Sequence, residues 1–192
     1  MFAQVQLKHC MGAALGFLIL STAAFAEKCP GPLGCTVPLT FKGTYLEDTC
    51  DVSIDNSGSD AVVGLPRIGT YLLQTDGKEA GSTPFQIALK NCPVGKNVNL
   101  FFKPAGIPVD DTTGNLTNTT GTGMSEFVQV RIRNAAGNQL RVGNSNDYQE
   151  YVIPPIGGDV THYFVASYYA KGNSSVKPGL VKTLAGIELI YN

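Results

Sequence analysis

Tryptophan is absent from these 192 residues, histidine occurs only twice, and charged side chains make up 15% of the chain. Each shortage excludes something. So few histidines leave little material for general-base chemistry or a metal centre. A formal net charge of -1, with no basic block, argues against nucleic acid or an anionic membrane surface as partner. Helix-favouring runs are scarce, and no repeat of solenoid or propeller period is present. What is plentiful is glycine, threonine, asparagine and valine, the composition of an all-β chain of one domain.

Catalytic patterns fail one by one. Gly123 to Phe127 reads Gly-Met-Ser-Glu-Phe and lacks the second glycine of a nucleophile elbow. His162 sits on a strand pattern with the parity of Phe164 and reads as a strand residue near a sheet end. Asp110 and Asp111 follow no calcium-loop motif and read as a solvated loop tip. Arg131 and Arg133 share one strand face and read as solvated. Asn115, Asn118 and Asn173 match the glycosylation acceptor pattern, which recurs by chance in Asn/Thr-rich chains. No enzyme activity, cofactor or metal is expected.

The N-terminus has the form of a secretory signal. Lys8 and His9 precede an apolar run from Met11 to Ala24, and Ala24-Phe25-Ala26 is a small-x-small cleavage site. The run is short for a membrane span, so no span is expected after cleavage. Residues 1–26 are therefore set aside as signal. Cys10 leaves with them, and Cys29, Cys35, Cys50 and Cys92 remain. Four cysteines in an exported chain allow three pairings. Proximity favours Cys29 with Cys35 around a Pro/Gly loop, leaving Cys50 with Cys92. Loop-closure entropy puts the longer bridge at roughly 4 kcal/mol and the shorter at about 2.

Alternation then runs through the chain. Val37, Leu39 and Phe41 share one side of a segment that contains Pro38, which cannot donate to a central ladder. Cys50, Val52 and Ile54 follow on one face. Val62 to Leu65 and Thr70 to Gln74 read as short strands. Phe85, Ile87 and Leu89 are in register, then Val98, Leu100 and Phe102. Gly106 to Gly123 reads as a long polar loop. Val128, Val130 and Ile132 face inward from Glu126 to Arg133. Short strands follow at Gln139 to Val142 and Tyr148 to Ile153, then a longer one from Val160 to Tyr169. The last pattern, Ala185 to Asn192, alternates Ile187, Leu189 and Tyr191 against Gly186, Glu188 and Ile190. No strand follows to cover it, and an apolar edge without a neighbour is an aggregation hazard. Eight to ten short strands separated by turns indicate a β-sandwich.

The order of pieces carries a resemblance. A signal precedes an alternating arm, Phe41-Lys42-Gly43 and a strand with Cys50. Thr83-Pro84-Phe85, Asn91-Cys92 and Phe164-x-Ala166-x-Tyr168 come next, with a Pro178-Gly179 turn and a penultimate Tyr191. Together these resemble type 1-like fimbrial (pilin) subunits of the chaperone–usher pathway. The resemblance implies an incomplete immunoglobulin-like β-sandwich lacking its seventh strand, completed by a donor strand from another subunit or a chaperone. It implies residues 27–43 as the donor-strand extension and 44–192 as the pilin domain. Val37, Leu39 and Phe41 would be the donor positions, and Ile187, Leu189 and Tyr191 would border the acceptor groove. Cys50 and Cys92 match the family's disulfide position.

The implied partners are other pilin subunits in a head-to-tail polymer, a periplasmic chaperone and an outer-membrane usher. The implied destination is a fimbrium on the cell surface, reached through the periplasm, where it would support adhesion. If each of three donor side chains buries about 100 Å², burial at roughly 25 cal/mol per Å² contributes about 7 to 8 kcal/mol before ordering costs. Cys29 and Cys35 depart from that family's cysteine-free arm. The rival reading is a self-contained secreted β-sandwich that binds carbohydrate.

Overall fold

The structure is a computed structural model that describes residues 49–172 and 174–192. The signal segment, the arm with Val37, Leu39 and Phe41, and Cys29, Cys35 and Asn173 lie outside the described residues. The described residues form eight strands: β1 Asp51–Ile54, β2 Glu79–Lys90, β3 Asn97–Pro104, β4 Leu116–Thr117, β5 Val128–Asn134, β6 Gln149–Val152, β7 Val160–Ala170 and β8 Ala185–Tyr191. They form a five-stranded sheet of order β1-β2-β7-β5-β4 and a three-stranded sheet of order β6-β3-β8. Every pairing within the sheets is antiparallel.

Alternation places one side of each strand in the core. Phe85, Ile87 and Leu89 from β2, Val130 and Ile132 from β5, and Phe164 and Ala166 from β7 face Val98, Leu100 and Phe102 from β3. Phe164 stacks on Phe85 at 5.4 Å and meets Phe102 edge-on at 5.6 Å between ring centroids. Tyr151, fully buried on β6, donates its hydroxyl to the Ile87 carbonyl at 3.0 Å and so joins the two sheets. Burial holds its phenol well above the usual range. Cys50 and Cys92 are disulfide-bonded beside the ends of β1 and β2, with their Cα atoms 4.2 Å apart.

Three readings from the sequence change here. Thr70–Leu73 is a turn of 3-10 helix rather than a strand. Residues 62–65 and 139–142 lie outside the strands, although Leu140 and Val142 are buried. The polar stretch after Gly106 is no free loop. It contains β4, and it buries Thr113, Asn115 and Leu116 against β5.

That last packing also changes the arginines. Arg131 and Arg133 stand on the outer face of the large sheet and both bind Glu79 of β2, at 2.7 and 2.6 Å. Ser167 donates to the same carboxylate, and Arg131 lies 3.9 Å over the Tyr169 ring. Arg131 also donates to Asn115, whose amide in turn bonds Gln129. Asp110 completes the chain by accepting from Gln129 and from the Thr112 and Thr113 amides. The expected solvated face and solvated loop tip are one continuous hydrogen-bonded layer. Burial pushes the Glu79 carboxyl up, but the Arg133 hydrogen bond, the two guanidinium charges and Ser167 outweigh it and hold it below its ordinary 4.5.

Candidate functional site: an open seam beside β8

One edge of the small sheet is β8. Asn97 and Asn192 exchange both backbone hydrogen bonds, at 3.4 and 2.8 Å. In an antiparallel ladder such pairs alternate, so Ile190, Glu188 and Gly186 also direct their main-chain groups toward β3. Ala185, Ile187, Leu189 and Tyr191 direct theirs the other way. Among the described residues these outward groups have no backbone partner. The residues whose side chains turn to the core thus offer their peptides to the open side.

The same parity continues before β8. Leu180 is bonded through its N–H to Gly123 and through its carbonyl to Ser125. Lys182 accepts from the Thr119 amide and donates to the Asn118 side chain. Asn118 spends its amide nitrogen on the Ser125 and Leu180 carbonyls, so this acceptor-pattern asparagine is a clamp. Gly179 permits the approach, because a Cβ there would collide with the backbone of Met124 and Ser125. The odd-numbered residues Val181, Ala185, Ile187, Leu189 and Tyr191 pack half-buried against the core.

Across from this rim runs an extended segment, Ala61 to Leu65. Val63 and Leu65 pack on the core, while Val62 is 94% exposed. No backbone–backbone hydrogen bond holds the segment among the described residues. Its anchors are side chains: Thr83 donates to Gly64 and Tyr168 to Pro66, at 3.5 and 3.2 Å. Between the two walls lies a cavity of about 480 Å³. Its floor is the sandwich core itself, with Phe85, Phe102, Val130, Ile132 and Ala166. An apolar trough between two unpaired backbones can take in one extended strand. Main-chain bonds would hold it, and pockets would read alternate side chains.

Of the expected groove residues, Ile187 lines this cavity. Leu189 and Tyr191 pack on the core further along β8. Tyr191 does something the sequence did not reveal: its hydroxyl accepts the Cys50 N–H at 2.8 Å. That bond ties the end of the small sheet to the start of β1. The rim residues Val181 and Ala185 and the wall Ala61 to Leu65 were not anticipated. Odd-numbered apolar residues from Ala185 to Tyr191, with Val181 at the same parity, were the available signal. His162 is half-buried against the Tyr151 ring edge at 4.5 Å, and burial lowers its pKa. Among the described residues, no group of three or more His, Cys, Asp or Glu is placed to hold a metal ion.

The family model for fimbrial proteins matches residues 39–192. The chain belongs to the fimbrial protein family. It is 36% identical to the F17 fimbrial protein of Escherichia coli over 70% of this chain and 76% of that protein. It is 32% identical to the serotype 2 fimbrial subunit of Bordetella pertussis over 98% and 97%. A subunit of a solved chaperone–usher pilus shares the fold, with a TM-score of 0.58, 19% identity and coverage of 86% and 100%. This fimbrial protein is a structural pilus subunit with an incomplete immunoglobulin-like sandwich. The self-contained carbohydrate-binding reading is not favoured by these relatives.

Proposed function

We propose that the subunit polymerises by donor-strand exchange. Val37, Leu39 and Phe41 of one copy fill the seam beside β8 of the next. Before assembly a periplasmic chaperone lends the strand, and the outer-membrane usher exchanges it for the arm of another copy. Residues 1–26 direct export, and the finished fimbrium stands on the cell surface, where it supports adhesion. The observation that carries this reading is the coincidence along one edge. The same half of β8 that turns Ile187 and Leu189 to the core leaves its main-chain groups without a backbone partner among the described residues, beside an apolar cavity.

The test compares the full chain with a version carrying residues 31–43 after Asn192 through a flexible linker. Size-exclusion chromatography should show multimers for the first and a monomer for the second. A full chain that stays monomeric, or an extended chain that still assembles, would refute the proposal. Replacing Val37, Leu39 and Phe41 with serine should leave a subunit that accepts a strand and donates none.

A further inference from the structure

The odd-numbered edge of the seam runs Val181, Thr183, Ala185, Ile187, Leu189, Tyr191. Five of the six pack on the apolar core. Thr183 is the exception, since it brings a hydroxyl to a wall that is otherwise hydrocarbon. Tyr191 also carries a hydroxyl, but Cys50 satisfies it. Thr183 lines the cavity, and its Oγ1 is sealed from solvent with no hydrogen-bond partner among the described residues. A buried hydroxyl without a partner is destabilising, whereas valine has the same shape and would carry no such penalty. The neighbouring even residue Lys182 is fixed from both its N–H and its carbonyl, so the backbone that presents Thr183 is held in place. Rotation about one χ1 bond moves the hydroxyl without moving that backbone.

Resting on the donor-strand reading above, we infer that Thr183 is the polar subsite of the seam. Its hydroxyl bonds a main-chain peptide group of the arriving arm of a second copy. Apolar pockets tolerate sliding by one side-chain pair, because each inward pocket accepts a range of hydrocarbon shapes. Main-chain peptide groups repeat every two residues of a strand, so the hydroxyl finds a partner in each such register and adds holding strength to whichever one the side chains select. Thr183 is therefore an anchoring residue that slows release of the bound strand.

The test uses the chain with Val37, Leu39 and Phe41 replaced by serine, which accepts a strand and donates none, and a synthetic peptide of residues 36–43, fluorescently labelled at its C-terminus and free of cysteine. After capture, excess unlabelled peptide is added and release is followed by anisotropy. Thr183→Val should release the peptide about tenfold faster than wild type, the equivalent of about 1.4 kcal/mol. Thr183→Ser keeps the hydroxyl and should stay within about twofold. The urea midpoint of the strand-free chain should be unchanged or raised by Thr183→Val, because the orphaned hydroxyl is gone. Release from Thr183→Val at the wild-type rate would overturn the inference. So would equally fast release from the serine variant, or a lowered midpoint of the strand-free valine variant. Failure of this strand-free chain to capture the peptide while it retains Thr183 would defeat the donor-strand reading itself, and the role of Thr183 with it.

Discussion

Removing one oxygen tests how the open end of the sandwich is held together. Tyr191→Phe keeps the ring that packs on the core and deletes the acceptor of the Cys50 N–H, a bond of 2.8 Å. A typical hydrogen bond contributes a net ~1 kcal/mol, and leaving a sealed donor unpaired costs about 1–3 kcal/mol. Cys50 is only 8% exposed, so water reaches its amide poorly and the loss belongs between those figures. About 1.5 kcal/mol is expected. With a urea m-value of roughly 2 kcal/mol per M, the midpoint should fall by about 0.7 M with m unchanged. The measurement is made on the chain with residues 31–43 appended, so that assembly does not enter. Hydrogen exchange at the Cys50 amide gives the local readout and should accelerate about tenfold, because β1 loses its tie to β8. A midpoint shift below about 0.2 M, with Cys50 exchange unchanged, would show that the bond is not a latch.

Two further outcomes follow from the same structure. Glu79 has its pKa lowered below 4.5, so the folded state binds that proton less readily than the unfolded chain does. Its contribution is complete above the unfolded value and is lost as pH falls through the folded one. Urea midpoints should decline below about pH 4.5, and Glu79→Gln should lower the neutral-pH midpoint and flatten that decline; equal slopes in both proteins would exclude the role. Cys50 and Cys92 are separated by 42 residues, so replacing both with serine should cost about 4 kcal/mol by loop entropy; a loss under about 1 kcal/mol would place the stabilisation elsewhere.

The sandwich was legible wherever one face of a strand is sealed. Val98, Leu100 and Phe102, or Val130 and Ile132, announce a period of two because the alternate position meets a different solvent. Alternation says nothing about who accepts the backbone hydrogen bonds. Residues 62–65 alternate like a strand because Val63 and Leu65 face the core, yet their peptides have no backbone partner among the described residues. The outer face of the large sheet misled for the opposite reason. Its arginines look solvated in sequence, but the turn around Asp110 to Asn115 reaches Arg131 through Asn115, and the register brings in Glu79, 52 residues from Arg131. The Tyr191–Cys50 bond spans 141 residues and leaves no local trace at all.

The geometry of the seam also bears on the form of the assembly. An exposed strand edge invites any other edge, and most proteins blunt theirs. Here the peptides that point outward run beside an apolar cavity walled on its far side by residues 61–65. Pairing β8 with a second β8 would leave that cavity unfilled, whereas a separate extended segment can occupy both the edge and the cavity. On the proposed reading that segment is the arm of another copy, so plug and socket belong to different surfaces of one chain. Such a contact is heterologous, and repeating it without ring closure gives a filament. Each added copy that fills a seam with its arm presents an empty seam of its own. Growth then continues until the last seam receives a strand from a chain that has no seam to offer.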